Sequence, residues 1–130
     1  MQVSRRAFTQ LLGVMGFASA GHVIAQGKGV EVGMHGDVMP VFDPVEVKIR
    51  VGDTVRWTNP GVLVHTVTFD PKQAIQAVGG VVLPAGVAAF GSDDLNQDDT
   101  YSHTFTAKGT YKYICKYHEI MGMTGTVIVS

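Results

Sequence analysis

Cys115-Lys116-Tyr117-His118-Glu119-Ile120-Met121-Gly122-Met123 lies near the C-terminus, between one strand-like run and another. It holds the only cysteine of the chain, a histidine three residues later, and two methionines within the next five positions. Thiolate, imidazole and thioether are soft-to-borderline donors, and as a set they suit copper better than magnesium, calcium or manganese. A further nitrogen must come from elsewhere in the fold, and His65, 50 residues upstream, is the leading candidate. Two histidines, one cysteine and a distant methionine form the trigonal blue-copper arrangement. In such a set the thiolate is the strongest donor and binds deprotonated. The imidazoles bind neutral, and the thioether is a weak axial ligand.

Outward from this loop the pattern is β. Tyr111-Lys112-Tyr113-Ile114-Cys115 puts Tyr111, Tyr113 and Cys115 on one face, and Thr126-Val127-Ile128-Val129 closes the chain. Upstream, Val30 to Met34 alternates, and Val45, Val47 and Ile49 face one way with charges between them, the period of a half-buried strand. Val51-Gly52-Asp53 turns the chain, Thr54 to Thr58 returns it, and Asn59-Pro60-Gly61 is another turn. Val62 to Phe69 is β-branched or aromatic around His65, and Thr100 to Thr106 alternates again. Between Asp70 and Asn96 no alternation is sustained; Pro71 to Val78 has room for one or two helical turns, and Leu83 to Gly91 for a strand or an extended loop. Short strands and frequent turns predict an all-β, antiparallel sandwich with Greek-key connections.

The length of 130 residues allows one domain. Met1 to Ala25 reads as an export signal: Ser4-Arg5-Arg6-Ala7-Phe8, then an apolar run from Leu11 to Ala18, then small residues. The Ser-Arg-Arg-x-Phe pattern resembles twin-arginine signals. Cleavage after Ala25 is preferred over cleavage after Ala20 and leaves a domain over residues 26–130. The alternative, an uncleaved anchor, requires about 20 apolar residues, and this run is shorter and rich in glycine. Without Arg5 and Arg6, eight of the ten basic residues remain against eleven acidic ones, a net charge of −3 that excludes a basic nucleic-acid footprint. One cysteine in an exported chain makes no internal disulfide, so Cys115 is a free thiol. A small buried hydrophobe is the bland explanation, but His118 and the methionines beside it satisfy metal-ligand spacing.

Of the other histidines, His22 falls in the signal, His35 reads as a solvated loop residue, and His103 as a sheet-face residue between Ser102 and Thr104. Trp57 and Phe69 read as core aromatics.

Three segments carry a family resemblance: Val51 to Asn59, His65-Thr66-Val67-Thr68-Phe69-Asp70, and Lys108 to His118 continuing through Gly125-Thr126-Val127. Together they resemble the plastocyanin and pseudoazurin branch of the cupredoxins over nearly all of the chain after the signal. The resemblance implies a Greek-key β-sandwich and one type 1 copper held by His65, Cys115, His118 and Met123. It also implies one-electron transfer between larger redox proteins. Met121 has the His-to-Met spacing of the shorter amicyanin loop, whereas Met123 has that of plastocyanin and pseudoazurin and leads through Thr124-Gly125-Thr126-Val127 into the last strand. Two positions depart from the family. Thr66 stands where an Asn usually ties the two ligand segments together, and Lys116-Tyr117 stand where a Pro commonly precedes the histidine.

The expectation is therefore a monomeric carrier outside the cytoplasmic membrane. It docks transiently near His118 onto c-type cytochromes or an oxidase or reductase, with Lys116 and Glu119 as flanking charges. A copper storage or delivery protein is the alternative, against which a closed His-Cys-His set counts. A copper enzyme needs a second centre with an open position, and the spare histidines, His35 and His103, are far apart.

Overall fold

The computed structural model describes residues 27–75 and 80–130. The export signal over residues 1–25, both cleavage sites, His22 and the 76–78 end of the expected helical turn lie outside the described residues.

Two β-sheets pack face to face. One contains β1 (Gly29–His35), β2 (Val41–Asp43), β4 (Thr54–Thr58) and β7 (Thr100–Thr104) in the order β2-β1-β4-β7. The other contains β3 (Glu46–Ile49), β5 (Thr68–Phe69), β6 (Phe90–Gly91), β8 (Gly109–Ile114) and β9 (Thr124–Val129) in the order β3-β9-β8-β5-β6. The sandwich is as expected, but its pairing is mixed rather than antiparallel throughout. β1 runs parallel to β4, and β3 runs parallel to β9. Parallel neighbours need a crossover, and the chain supplies one by leaving the first sheet after β2, contributing β3 to the second, and returning as β4. Alternation of apolar residues carries no strand direction, so the sequence pattern could not show this.

Val47 and Ile49 point inward as predicted, but Val45 is 60% exposed, because the chain is still in the bend after Asp43-Pro44 and β3 begins only at Glu46. Within Val62 to Phe69 only Thr68–Phe69 is strand. The unassigned stretch holds a 3-10 turn at Pro71–Gln73, capped by Asp70, whose carboxylate accepts the Lys72 N–H at 3.0 Å.

Between the sheets lies an aromatic core. Trp57 and Phe69 are fully buried as predicted. Phe69 stacks between Phe90 (centroids 4.4 Å apart) and Tyr113 (4.7 Å), while Trp57 meets Phe69 and Tyr113 edge-on. Burying one such ring contributes about 1.5–3 kcal/mol, and the polar tips need partners. They find each other: Trp57 Nε1–H donates to the Tyr113 hydroxyl at 3.0 Å. Burial pushes the Tyr113 phenol well above its usual range, so it stays protonated. Opposite Tyr113 in β9 stands Gly125, where any Cβ would run into the phenol ring.

His103 is not the solvated sheet-face residue that its polar neighbours suggest. Its ring stacks on Phe90 (3.8 Å, 13°) and meets the edge of Phe105 at 4.7 Å. Burial lowers its pKa below the ordinary 6.5, so the folded state resists protonation that the unfolded chain accepts. The stability it contributes is therefore complete above about pH 6.5 and is lost as the pH falls toward the lower pKa of the folded ring. The metal-free protein should melt lower at about pH 5.5 than at pH 7.5. His103→Phe, which keeps the stack and removes the titration, should shrink that difference in thermal unfolding followed by circular dichroism. An equal difference in both proteins would refute the assignment.

Candidate metal centre

Cys115 follows directly on β8, and the loop after it is folded by its own backbone. The Cys115 N–H donates to Met123 O at 3.1 Å, closing the loop where β8 and β9 begin to pair. The N–H groups of His118, Met121 and Met123 donate to Cys115 O, His118 O and His118 O at 3.1, 3.0 and 3.1 Å. A 3-10 turn, Glu119–Met121, ends at Gly122 with φ of +86°. A side chain at that left-handed position would be strained, and the reversal it makes sends Met123 inward. Met123 is fully buried, whereas Met121 is 42% exposed.

His65 is positioned from the other side of the fold. It exchanges backbone hydrogen bonds with Leu95, His65 N–H to Leu95 O at 3.1 Å and Leu95 N–H to His65 O at 2.7 Å. Asn59 braces this pair through Leu95 and through Leu63, two residues before His65. Its buried Nδ2 donates to Leu63 O at 2.7 Å and to Leu95 O at 2.9 Å, and its Oδ1 accepts the Gly61 N–H. The sequence marked Asn59 only as a turn residue before Pro60-Gly61; its amide instead fixes the loop that delivers His65.

These two segments bring three donors together. The Nδ1 atoms of His65 and His118 lie 3.8 and 3.4 Å from Cys115 Sγ, and the donor atoms of the three residues all fall within 4.8 Å of one another. Among the described residues this is the one group of three or more His, Cys, Asp or Glu side chains close enough to hold a metal ion. Cys115 and His65 are buried, while His118 stays partly exposed. Burial, and secondarily the nearby His118 charge, lower the pKa of His65, which favours the neutral imidazole that a metal requires. One sulfur and two imidazole nitrogens, with the cysteine and one histidine buried, fit a soft, borderline ion such as copper and suit hard, oxygen-seeking cations poorly.

Thr66 keeps the tie between the two segments despite lacking an amide side chain. Its Oγ1 accepts the Lys116 N–H at 3.0 Å and bonds the Thr68 hydroxyl at 2.9 Å, and its own N–H points at Cys115 Sγ at 3.4 Å. Tyr117, in the place of the usual proline, donates its hydroxyl to Asp94 Oδ1 at 2.7 Å, and Lys116 approaches the same carboxylate at 3.9 Å. Glu119 departs from expectation. It is 2% exposed and accepts the Ile75 N–H at 2.7 Å, so it is not a flanking surface charge. Its place outside is taken by Ile120, 78% exposed.

Residues 28–130 match the family of copper binding proteins named plastocyanin/azurin. The chain belongs to that family. The chloroplastic plastocyanin of Tetradesmus obliquus is 35% identical over 123 residues, covering 89% of this chain and 74% of the relative. Amicyanin of Paracoccus denitrificans is 36% identical over 88 residues, covering 68% of this chain and 57% of the relative. Among solved structures, a purple cupredoxin from Nitrosopumilus maritimus matches with a TM-score of 0.59 and 26% identity, over 78% of this chain and 99% of that one. Pseudoazurin from Methylobacterium extorquens AM1 matches with a TM-score of 0.60 and 25% identity, over 79% and 76%. The cupredoxin sandwich and the family resemblance carried by the motifs are thus both borne out.

In this cupredoxin the Thr66 hydroxyl is a buried acceptor with a defined task. Thr66→Val removes it, leaves the Lys116 N–H without its partner, and should cost about 1–3 kcal/mol in urea denaturation of the metal-free protein. Thr66→Ser should recover most of that loss. Equal stabilities of the Val variant and the parent would show that the hydroxyl ties nothing.

Proposed function

We propose that this cupredoxin is an electron carrier, not an enzyme, and holds one copper through His65, Cys115, His118 and Met123. The observation that carries the reading is a fully buried Cys115 thiol faced by the Nδ1 atoms of two histidines, one of them partly exposed. When bound, copper supplies a one-electron couple between Cu(I) and Cu(II). The protein's part is positional. Backbone hydrogen bonds, Asn59 and Thr66 hold the donors before any metal arrives, so little rearrangement accompanies a change of charge. Burial keeps water from the thiol, and His118 offers a ring edge to the surface. The full burial of Met123 supports it over Met121 as the thioether that would complete the donor set. A storage or delivery role is less well supported, because a thiol with no exposure does not exchange metal readily.

Docking uses the apolar surface at the His118 end: Ile120 and Met121 in the ligand loop and Val62, 70% exposed, in the loop leading to His65. A small patch suits a partner that must leave after each transfer. The partners are larger redox proteins such as a c-type cytochrome, an oxidase or a reductase, and the carrier acts as a monomer. The Arg5-Arg6 pattern, the apolar run from Leu11 to Ala18 and the small residues after it support export, with residues 1–25 as the signal and 26–130 as the domain at work outside the cytoplasmic membrane.

Oxidised, copper-loaded protein should show an intense visible band from the Cys115 thiolate, and Cys115→Ser should abolish it. Met123→Gln should shift the spectrum and the reduction potential, and Met121→Leu should leave both nearly unchanged. A band that survives Cys115→Ser would sink the copper assignment, and a spectrum responding to 121 and not 123 would move the thioether role to Met121.

For docking, Ile120→Glu should slow electron transfer to a c-type cytochrome about tenfold, the equivalent of about 1.4 kcal/mol, at low and high salt alike. If salt alone changed the rate, charges rather than the apolar patch would govern association.

A further inference from the structure

The 3-10 turn Glu119–Met121 is turned inside out by the usual rules of polarity. Its carboxylate is 2% exposed, while Ile120 and Met121 are 78% and 42% exposed. Taking a carboxylate out of water is costly unless it is hydrogen-bonded. Here Glu119 Oε1 accepts the Ile75 N–H at 2.7 Å, a contact spanning 44 residues. Ile75 follows the Pro71–Gln73 turn, on a segment that supplies none of the metal donors. An apolar side chain would have filled the same space without that desolvation cost, yet the residue next to His118 is charged.

We propose that Glu119 is a positioning residue for electron exchange that acts in two ways. It clasps the ligand loop to the 74–75 segment, and it places a buried negative charge one residue from His118 that favours the oxidised site. This rests on the copper reading given above. The clasp constrains the turn that begins at His118, so the orientation of that ring depends on a contact outside the donor set. The charge acts because a dry, low-dielectric surrounding screens it weakly. The oxidised site carries one more positive charge than the reduced one, so a fixed anion nearby stabilises it more and lowers the reduction potential.

Two variants separate these roles. Glu119→Gln keeps the size and the acceptor but removes the charge; Glu119→Ala removes both. In the metal-free protein the Ile75 amide should exchange with deuterium at the parent rate in the Gln variant and at least about tenfold faster in the Ala variant, the equivalent of about 1.4 kcal/mol. Once copper-loaded, the Gln variant should keep the visible band while its reduction potential rises. An unchanged potential with the band intact overturns the role of the charge, and unchanged Ile75 exchange in the Ala variant overturns the clasp. If the Ala variant does not fold, Glu119→Met, similar in size and lacking the acceptor, takes its place. Failure of the copper reading appears separately, as a parent protein with no thiolate band, and the exchange comparison still decides the clasp.

Discussion

Two chain segments 49 to 50 residues apart meet at Thr66 and Cys115, and the hydrogen bonds that join them are the constraint on which the centre depends. The Thr66 N–H faces the sulfur, and the Thr66 hydroxyl accepts the amide of the next residue, Lys116. Each bond is modest by itself, about 0.5–1.5 kcal/mol net. The first is buried and the second partly so, and Thr66 itself is almost fully enclosed, so breaking either costs more than it would at an open surface. His65 and Cys115 are thereby held in register across the two segments, and the nitrogen of His65 is brought to the sulfur without help from a metal.

Everything around that junction limits how far it can give. Behind it, Trp57, Phe69 and Tyr113 interlock, with the Trp57 indole bonded to the Tyr113 phenol and Gly125 leaving room for the ring. Tyr113 lies two residues before Cys115 on the same strand face, so core packing and donor placement are one problem. On the outer side the loop lacks a proline to stiffen it. Contacts to Asp94 and Ile75 by Tyr117 and Glu119 take that role. A loop fixed on both flanks leaves His118 partly exposed without leaving it loose.

The surface near His118 follows from the same inversion. With Glu119 drawn in, Ile120 and Met121 are pushed out beside an imidazole edge. An apolar rim excludes water from a transient contact and imposes no charge pattern on the partner. The acidic balance of the domain, carried partly by Asp93, Asp94, Asp98 and Asp99, lies on the 92–99 segment that also braces His65 and Tyr117.

The sequence alone pointed to the donor set proposed above, because cysteine, histidine and methionine at the spacing of the 115–123 loop have few other uses, and it determined the β-class, because alternation and turn residues are local properties. His65, Cys115 and His118 do converge, and Trp57 and Phe69 do sit in the core. Tertiary structure decided what depends on partners distant in the chain. The parallel pairing of β1 with β4 and β3 with β9 arises from a crossover that no local pattern encodes. The stacking of His103 on Phe90 and the grip of Asn59 on Leu63 and Leu95 are set by neighbours that only the folded chain supplies. Thr66 could be seen to lack an amide, but only the position of the Lys116 N–H shows that a hydroxyl reaches far enough. Glu119 is the clearest case: polarity places it in solvent, and it is held inside by the hydrogen bond that its carboxylate accepts from the backbone N–H of Ile75, a residue 44 positions away that no local pattern links to it.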